Sequence, residues 1–395
     1  MNLIKFEDTT FVSEENKYLV KDFRQIELDK IFPIIEDMLN RIKIIDPEYS
    51  GSIEMETVSP KYLNLNTSYY DKFILKQKYK DYSNEVKFIA PKLISGNYFI
   101  LNNLTYVPLI FLEKAPIDRI YQPEKKKNKI FANINPLYNF TFDFVEKKVT
   151  FKTKSIDLDI FLRIFFQHDL EYLKILHELK YIKLNEKNLY SREEFRKFIK
   201  FIGFHNIDLF EEKEDKNELI SFLDNILLLE YFKDMFNDFY EVNNITDIFK
   251  KIIDINENNI EINMADLKNR RVVIMEYLFR PVFEIYSRLL YGIIDKNNTN
   301  FLPTINELSI ITTGFHKNLH RGSLFDHSTP FTLPLINKVS QDINIINNGR
   351  LPKSWTENNP SSKGKICPIS VSAADTALNL IFTSTTKINK FGRIL

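Results

Sequence analysis

Asp157 and Asp159 stand two positions apart, close enough for one divalent cation to draw on both. Paired carboxylates of that kind can activate a hydroxyl and neutralise a leaving phosphate. The pattern here lacks a third acid and a glycine turn that would make the carboxylates converge. His316 and His320 are four apart, which on a helix would aim both imidazoles the same way, as in zinc-hydrolase ligand pairs. No glutamate lies between them, and Lys317 and Arg321 are adjacent, so phosphate contact by His320 and Arg321 suits the local chemistry better than metal binding. His168 and His177 lie in a helical stretch and read as ordinary surface or core residues. No glycine-rich phosphate loop followed by Lys-Ser or Lys-Thr occurs, nor any Gly-x-Ser-x-Gly elbow, which argues against an independent ATPase or hydrolase. The densest chemistry is a basic, hydroxyl-rich C-terminal third. Lys338, Arg350, Lys353, Lys363, Lys365, Lys387, Lys390 and Arg393 can neutralise phosphates there. The sole tryptophan, Trp355, offers a flat face to a base or belongs to a packed core.

These residues need elements to hold them. From Asp22 to Ile45, apolar residues including Ile26, Ile31, Ile34, Met38, Leu39 and Ile42 recur at three- and four-residue steps, predicting an amphipathic helix that Pro33 kinks or starts. From Ser52 to Phe111, β-branched and aromatic residues predict strands, with a turn at Asn102-Asn103. Pro116 and the Pro123-Glu-Lys-Lys-Lys stretch form a polar break and a candidate domain boundary. Alternation from Ile130 to Lys154 predicts one or two hairpins, and Ile156 to Phe249 reads as several helices. Ser191 and Glu194 have capping-box spacing. Helix is expected again from Met264 through Ile293, and long ordered loops from Asn297 onward, held by partners.

With 395 residues, 44% of them apolar, the chain can bury two or three cores. No run approaches the length of a membrane span and the N-terminus lacks signal-peptide character, as expected of a soluble, intracellular protein. One cysteine, Cys367, excludes an internal disulfide and any Cys-based zinc site. The net charge of +1 is far from that of a free-standing nucleic-acid binder. It is unevenly spread: Asn206 to Asp266 has 16 acidic and 5 basic residues, a balance of −11, and Ile346 to Leu395 has 7 basic and 2 acidic, a balance of +5. A polyanion is repelled by the first segment and drawn to the second.

Six short patches carry a resemblance in their order. They are Gly96 to Asn102 with Val107; Asp266 to Val272 with Glu276-Tyr277-Leu278; Ile311-Thr312 with Gly314, Leu319 and Gly322; and Asp326 to Pro330 with Thr332-Leu333 and Lys338. The last two are Arg350 with Pro352 to Trp355, and Gly364-Lys365-Ile366-Cys367-Pro368-Ile369 with Ile388-Asn389-Lys390-Phe391-Gly392. In this order they resemble the second-largest (β) subunit of multisubunit DNA-directed RNA polymerases, the last patch resembling its fork region. The chain departs from the family at Ser370 to Asp375, where the family reads Glu-Thr-Pro-Glu-Gly-Pro, and by the extra residues Thr356 to Lys363. Such divergence excludes a cellular housekeeping subunit.

The resemblance implies an α+β fold with a protrusion-like domain over residues 1–115 and 262–345, a mostly helical lobe-like insertion over 116–261, and the start of the fork over 346–395. It further implies a nucleotidyltransferase subunit, split as in phiKZ-like giant phages, which lines the cleft for DNA and the RNA–DNA hybrid. On this reading the nucleic-acid contacts fall to Arg270, Arg271, His320, Arg321, Asp326, Lys338, Arg350, Lys353, Trp355, Lys363 and Lys365. No catalytic or metal-binding residue is expected on this chain, the Mg²⁺ being held by the largest subunit. Expected partners are a C-terminal β fragment pairing with the strands of Thr383 to Leu395, largest-subunit (β′) fragments, a promoter-specificity subunit, template DNA and RNA product. Few glycines with abundant Asn, Ile, Lys, Phe and Tyr are the mix expected of an AT-rich genome and point toward a phage or a low-GC organism; on the polymerase resemblance, the protein acts in the host cytoplasm or is carried in the virion. The alternative from a different class is a non-enzymatic promoter-recognition or structural phage protein.

Overall fold

A computed structural model describes residues 17–56, 70–91, 99–101, 104–108, 110–122, 127–184, 189–205, 210, 216–260, 262–263, 266–273, 280–295, 319–321, 338–341, 359–367 and 379–395. Within them the fold mixes helices and mostly antiparallel sheets. The N-terminal amphipathic stretch forms two helices, α1 (Val20–Asp29) and α2 (Ile31–Ile45), broken at Lys30. Pro33 lies in the first turn of α2, where a missing N–H removes no intrahelical bond. The apolar stripe Ile34, Met38, Leu39, Ile42 and Ile45 is buried, as its spacing requires.

Strand β1 (Lys17–Leu19) precedes α1. A three-stranded antiparallel meander follows α2: β2 (Tyr49–Glu56), β3 (Tyr70–Tyr79) and β4 (Tyr82–Pro91). Its inner face carries Tyr49, Ile53, Leu75 and Tyr79, while Ser50, Ser52, Lys76 and Lys78 face outward, the period of two expected of a half-buried sheet. Next come β5 (Phe99–Leu101) and β6 (Leu104–Pro108), paired with Leu101 opposite Leu104, and then β7 (Ile110–Lys114).

The polar break expected at Pro123 lies outside the described residues, between β8 (Ile117–Gln122) and β9 (Lys127–Asn135), which pair with Gln122 opposite Lys127. With β10 (Tyr138–Asp143), β11 (Lys148–Phe151) and β12 (Lys154–Asp157) they form one five-stranded antiparallel sheet in sequence order. Helices α3 (Leu158–Phe165), α4 (Leu170–Glu178), α5 (Arg192–Ile202), α6 (Lys216–Leu227), α7 (Glu230–Tyr240) and α8 (Ile245–Glu257) follow. Alternation in β10 buries Phe140 and Phe142 against Phe161 of α3 and Phe249 of α8, with ring centroids 5.6–6.2 Å apart. Ser191 and Glu194 form the capping box at the start of α5.

The helix expected from Met264 through Ile293 is a strand in its first part. Asp266 caps a short 3₁₀ turn, Leu267–Asn269, and β13 (Arg270–Val273) follows; helix α9 (Arg280–Asp295) begins only later. Two β-branched valines on an open sheet edge outweigh a helical apolar spacing. β13 pairs antiparallel with β7, β14 (Leu319–Arg321) with β6, and β15 (Lys338–Gln341) runs parallel to β7 and antiparallel to β16 (Asn379–Ile381). Later strands thus rejoin earlier ones across the helical insertion. The buried apolar residues of the described segments form one contiguous cluster, from Phe23 to Ile394.

The bare C-terminal strands expected to await another chain are covered by this chain itself. β17 (Lys387–Asn389) pairs with β1, Ile394 turns back onto Ile388, and the turn between them lies on the outer edge of β13. Burying Ile388, Phe391 and Ile394 among residues of this core is favourable without any partner.

Candidate nucleic-acid interface

Of the carboxylate pair, Asp159 is engaged in structural contacts and Asp157 is exposed without a side-chain cap bond. Asp157 is the residue before α3, and Asp159 accepts from Arg163 Nη2 at 2.7 Å and from the Lys183 N–H at 2.7 Å. Arg163 also donates to Glu194 at 2.8 Å, tying α3 to the cap of α5. Among the described residues no three His, Cys, Asp or Glu side chains gather as a metal site. His320 lies on strand β14 opposite Val107, not on a helix, while His316 lies outside the described residues. His168 is exposed, and His177 Nδ1 is 3.1 Å from the Ile182 carbonyl.

Arg270 and Arg271 are corrected from phosphate contacts to interior residues, at 2% and 1% exposure. Arg270 Nη2 donates to the Leu112 carbonyl at 3.4 Å. Arg271 Nη2 donates to Glu113 Oε2 at 3.1 Å, and its Nη1 lies 3.1 Å from Met235 Sδ. Both guanidiniums are enclosed where β13 packs on β7 and α7, out of a phosphate's reach. Burial pushes the nearby Tyr240 hydroxyl well above its usual range; it accepts from the Ile117 N–H at 3.0 Å.

Of the remaining sites, Asp326, Arg350, Lys353 and Trp355 lie outside the described residues. Arg321 is placed on β14 beside β6, and Lys338 on β15 opposite Ile381. Lys363 and Lys365 lie just after a second 3₁₀ turn, Pro360–Ser362, which Asn359 caps through the Ser361 N–H at 2.9 Å. Ser361 Oγ accepts from the Leu267 N–H at 3.0 Å, so the two 3₁₀ turns touch. That contact brings Lys268 into the electrostatic field of Lys365. Lys268 and Lys363 are exposed and Lys365 half-buried. Partial burial, then repulsion from Lys268, holds the Lys365 ammonium below the usual lysine range, and Asp266 opposes the shift. Thr386 Oγ1 donates to the Lys365 carbonyl at 2.8 Å and Thr383 Oγ1 to the Gly364 carbonyl at 2.8 Å, fixing the loop from behind. Lys363 and Lys365 were among the expected nucleic-acid contacts; Lys268 was not.

The terminal turn has its own internal logic. Asn389 Oδ1 accepts from the N–H groups of Phe391 and Arg393, both at 2.9 Å, while its Nδ2 donates to Asp238 Oδ2 at 2.8 Å. Gly392 has φ +81°, and its carbonyl accepts from the Val272 N–H at 2.8 Å. A Cβ at this position would sit 1.9 Å from the Val272 carbonyl oxygen. Arg393 Nη1 donates to the Asp238 carbonyl at 2.7 Å.

No protein-family model matches this chain, and no curated protein matches it.

Proposed function

We propose that this chain is the N-terminal part of the β subunit of a phage multisubunit DNA-directed RNA polymerase, where it walls the nucleic-acid cleft and positions template and hybrid. The observation that carries the reading is that patches far apart in sequence, which resemble the family in order, meet as neighbours. Leu104–Pro108 pairs with Leu319–Arg321. Val272 donates to the Gly392 carbonyl at 2.8 Å. A run of accidental matches carries no reason to be adjacent in space. The exposed Lys363 and half-buried Lys365 supply positive charge on the fork-like segment. Positioning, not bond making, is the role this supports, with Mg²⁺ held by a largest-subunit partner.

A second reading, a self-contained promoter-recognition or structural phage protein, is favoured by one specific observation: residues Lys387–Leu395 satisfy their backbone on this chain. The two are separated by purifying tagged protein from infected cells. The polymerase reading expects co-purification of a chain with an Asp-x-Asp-x-Asp loop and of a chain completing β, together with DNA-dependent RNA synthesis. Tagged protein recovered without either chain from cells actively transcribing phage genes sinks it and leaves the second reading.

A further inference from the structure

We propose that the tip of the β11–β12 hairpin and the outer face of α5 form one basic surface that takes the phosphate backbone of a DNA duplex. The hairpin turns at Lys152-Thr153, with Phe151 opposite Lys154 and Thr150 opposite Ser155. Two contacts fix it against α5: the Phe151 and Phe201 rings meet at 6.0 Å, and Lys154 Nζ donates at 2.7 Å to the carbonyl of Lys200, 46 residues away in sequence. Outside this seam Lys152, Lys154, Arg196 and Lys200 are exposed, with the hydroxyl residues Thr153 and Ser155 between and beside the lysines. Arg196 and Lys200 stand four apart on α5 and so share a face. The nearby acids are committed elsewhere: Glu193 pairs with Lys197 at 3.1 Å, Glu194 with Arg163 at 2.8 Å, and Asp157 stands opposite Lys148 at the far end of β12. Among the described residues no carboxylate pairs with the four exposed cations. Partial burial, then repulsion from Lys154, holds the Lys152 ammonium below the usual lysine range, as befits a cation without a compensating acid. Cations with hydroxyl donors among them match a chain of phosphates, which offers acceptor oxygens at every step. Tyr291, the ring nearest the hairpin tip, is packed on Phe204 at 5.0 Å with the Lys152 ammonium 5.9 Å from its centroid. It is not offered to a base, so the surface grips the backbone without sequence preference.

The test is anisotropy of a short end-labelled DNA duplex on the full-length chain across a salt series. A triple variant combines Lys152→Ala, Arg196→Ala and Lys200→Ala and keeps Lys154, which closes the end of α5. It is expected to weaken binding and to flatten the log–log salt slope by about 2–3, one phosphate for each cation removed. A second triple variant, Lys43→Ala, Lys78→Ala and Lys174→Ala, removes the same charge from exposed positions elsewhere and should leave the slope unchanged. Equal losses in the two triple variants assign the effect to net charge and overturn the proposal. So does the absence of saturable duplex binding by the unmodified chain at the lowest salt. Polyglutamate that displaces the duplex as well as unlabelled duplex does, charge for charge, assigns an acidic peptide as the occupant and also overturns it. Lys152→Glu, a single exchange at the exposed hairpin tip, repeats the test should the triple variant melt early: it must weaken binding more than Lys174→Glu. The surface belongs to either reading of the function, so its failure leaves the polymerase reading to the co-purification experiment.

Discussion

Gly392 shows how one residue sets what its neighbours can do. Its φ of +81° and its contact with Val272 leave no place for a side chain, and the carbonyl it meets is backbone, which cannot swing away. Gly392→Ala is therefore expected to cost more than the about 1–2 kcal/mol of a left-handed L-residue alone, read as a drop in melting temperature. Arg271 is the second case. Removing it leaves the Glu113 carboxylate, 16% exposed, without its 3.1 Å partner. Arg271→Ala should destabilise by about 3–5 kcal/mol in urea unfolding. Its effect on nucleic-acid binding should follow stability alone. Glu194 supplies a pH test. Burial pushes its carboxyl upward, but the hydrogen bonds from Arg163 and the Ser191 N–H together hold it below the usual range. A depressed carboxylate contributes stability that is complete above its unfolded pKa, about 4.3, and is lost as pH falls through the folded value. Glu194→Gln should flatten the decline of the urea midpoint in that acidic window, whereas an unchanged profile contradicts the assignment.

At the scale of elements, local signals were legible where one short segment decides the outcome. The capping box at Ser191 was visible because both partners lie three residues apart, and Ser191→Ala should cost about 1 kcal/mol by chemical unfolding. The stripe of α2 and the alternation of β9 and β10 were visible for the same reason. Arg270–Val273 was misread because its strand state depends on β7, far away in the sequence, presenting a free edge. The two arginines were misplaced with it. Arginine in a motif is legible as charge, but whether that charge faces solvent or Glu113 is settled by packing.

On the scale of the whole molecule, the C-terminal segment acts as a clasp. It covers the edge of β1, lies on β13 and reaches Asp238 of α7. Removing residues 387–395 should expose both strand edges and apolar core surface. Hydrogen exchange should then accelerate at Lys17–Leu19 and at Val272, and spare the sheet of β8 to β12. Uniform acceleration across the molecule would show instead that the clasp supports the entire core.

The sequence by itself determined the mixed α and β class, the helical and sheet periodicities, the concentration of positive charge near the C-terminus and the ordered patches that prompt the polymerase reading, because each is written in residue types within a short window. Only the tertiary structure decided that Arg270 and Arg271 are interior and that the last strands close on their own chain. Those outcomes depend on which distant surfaces bury one another, and burial free energy is a property of the packed assembly, not of any single segment.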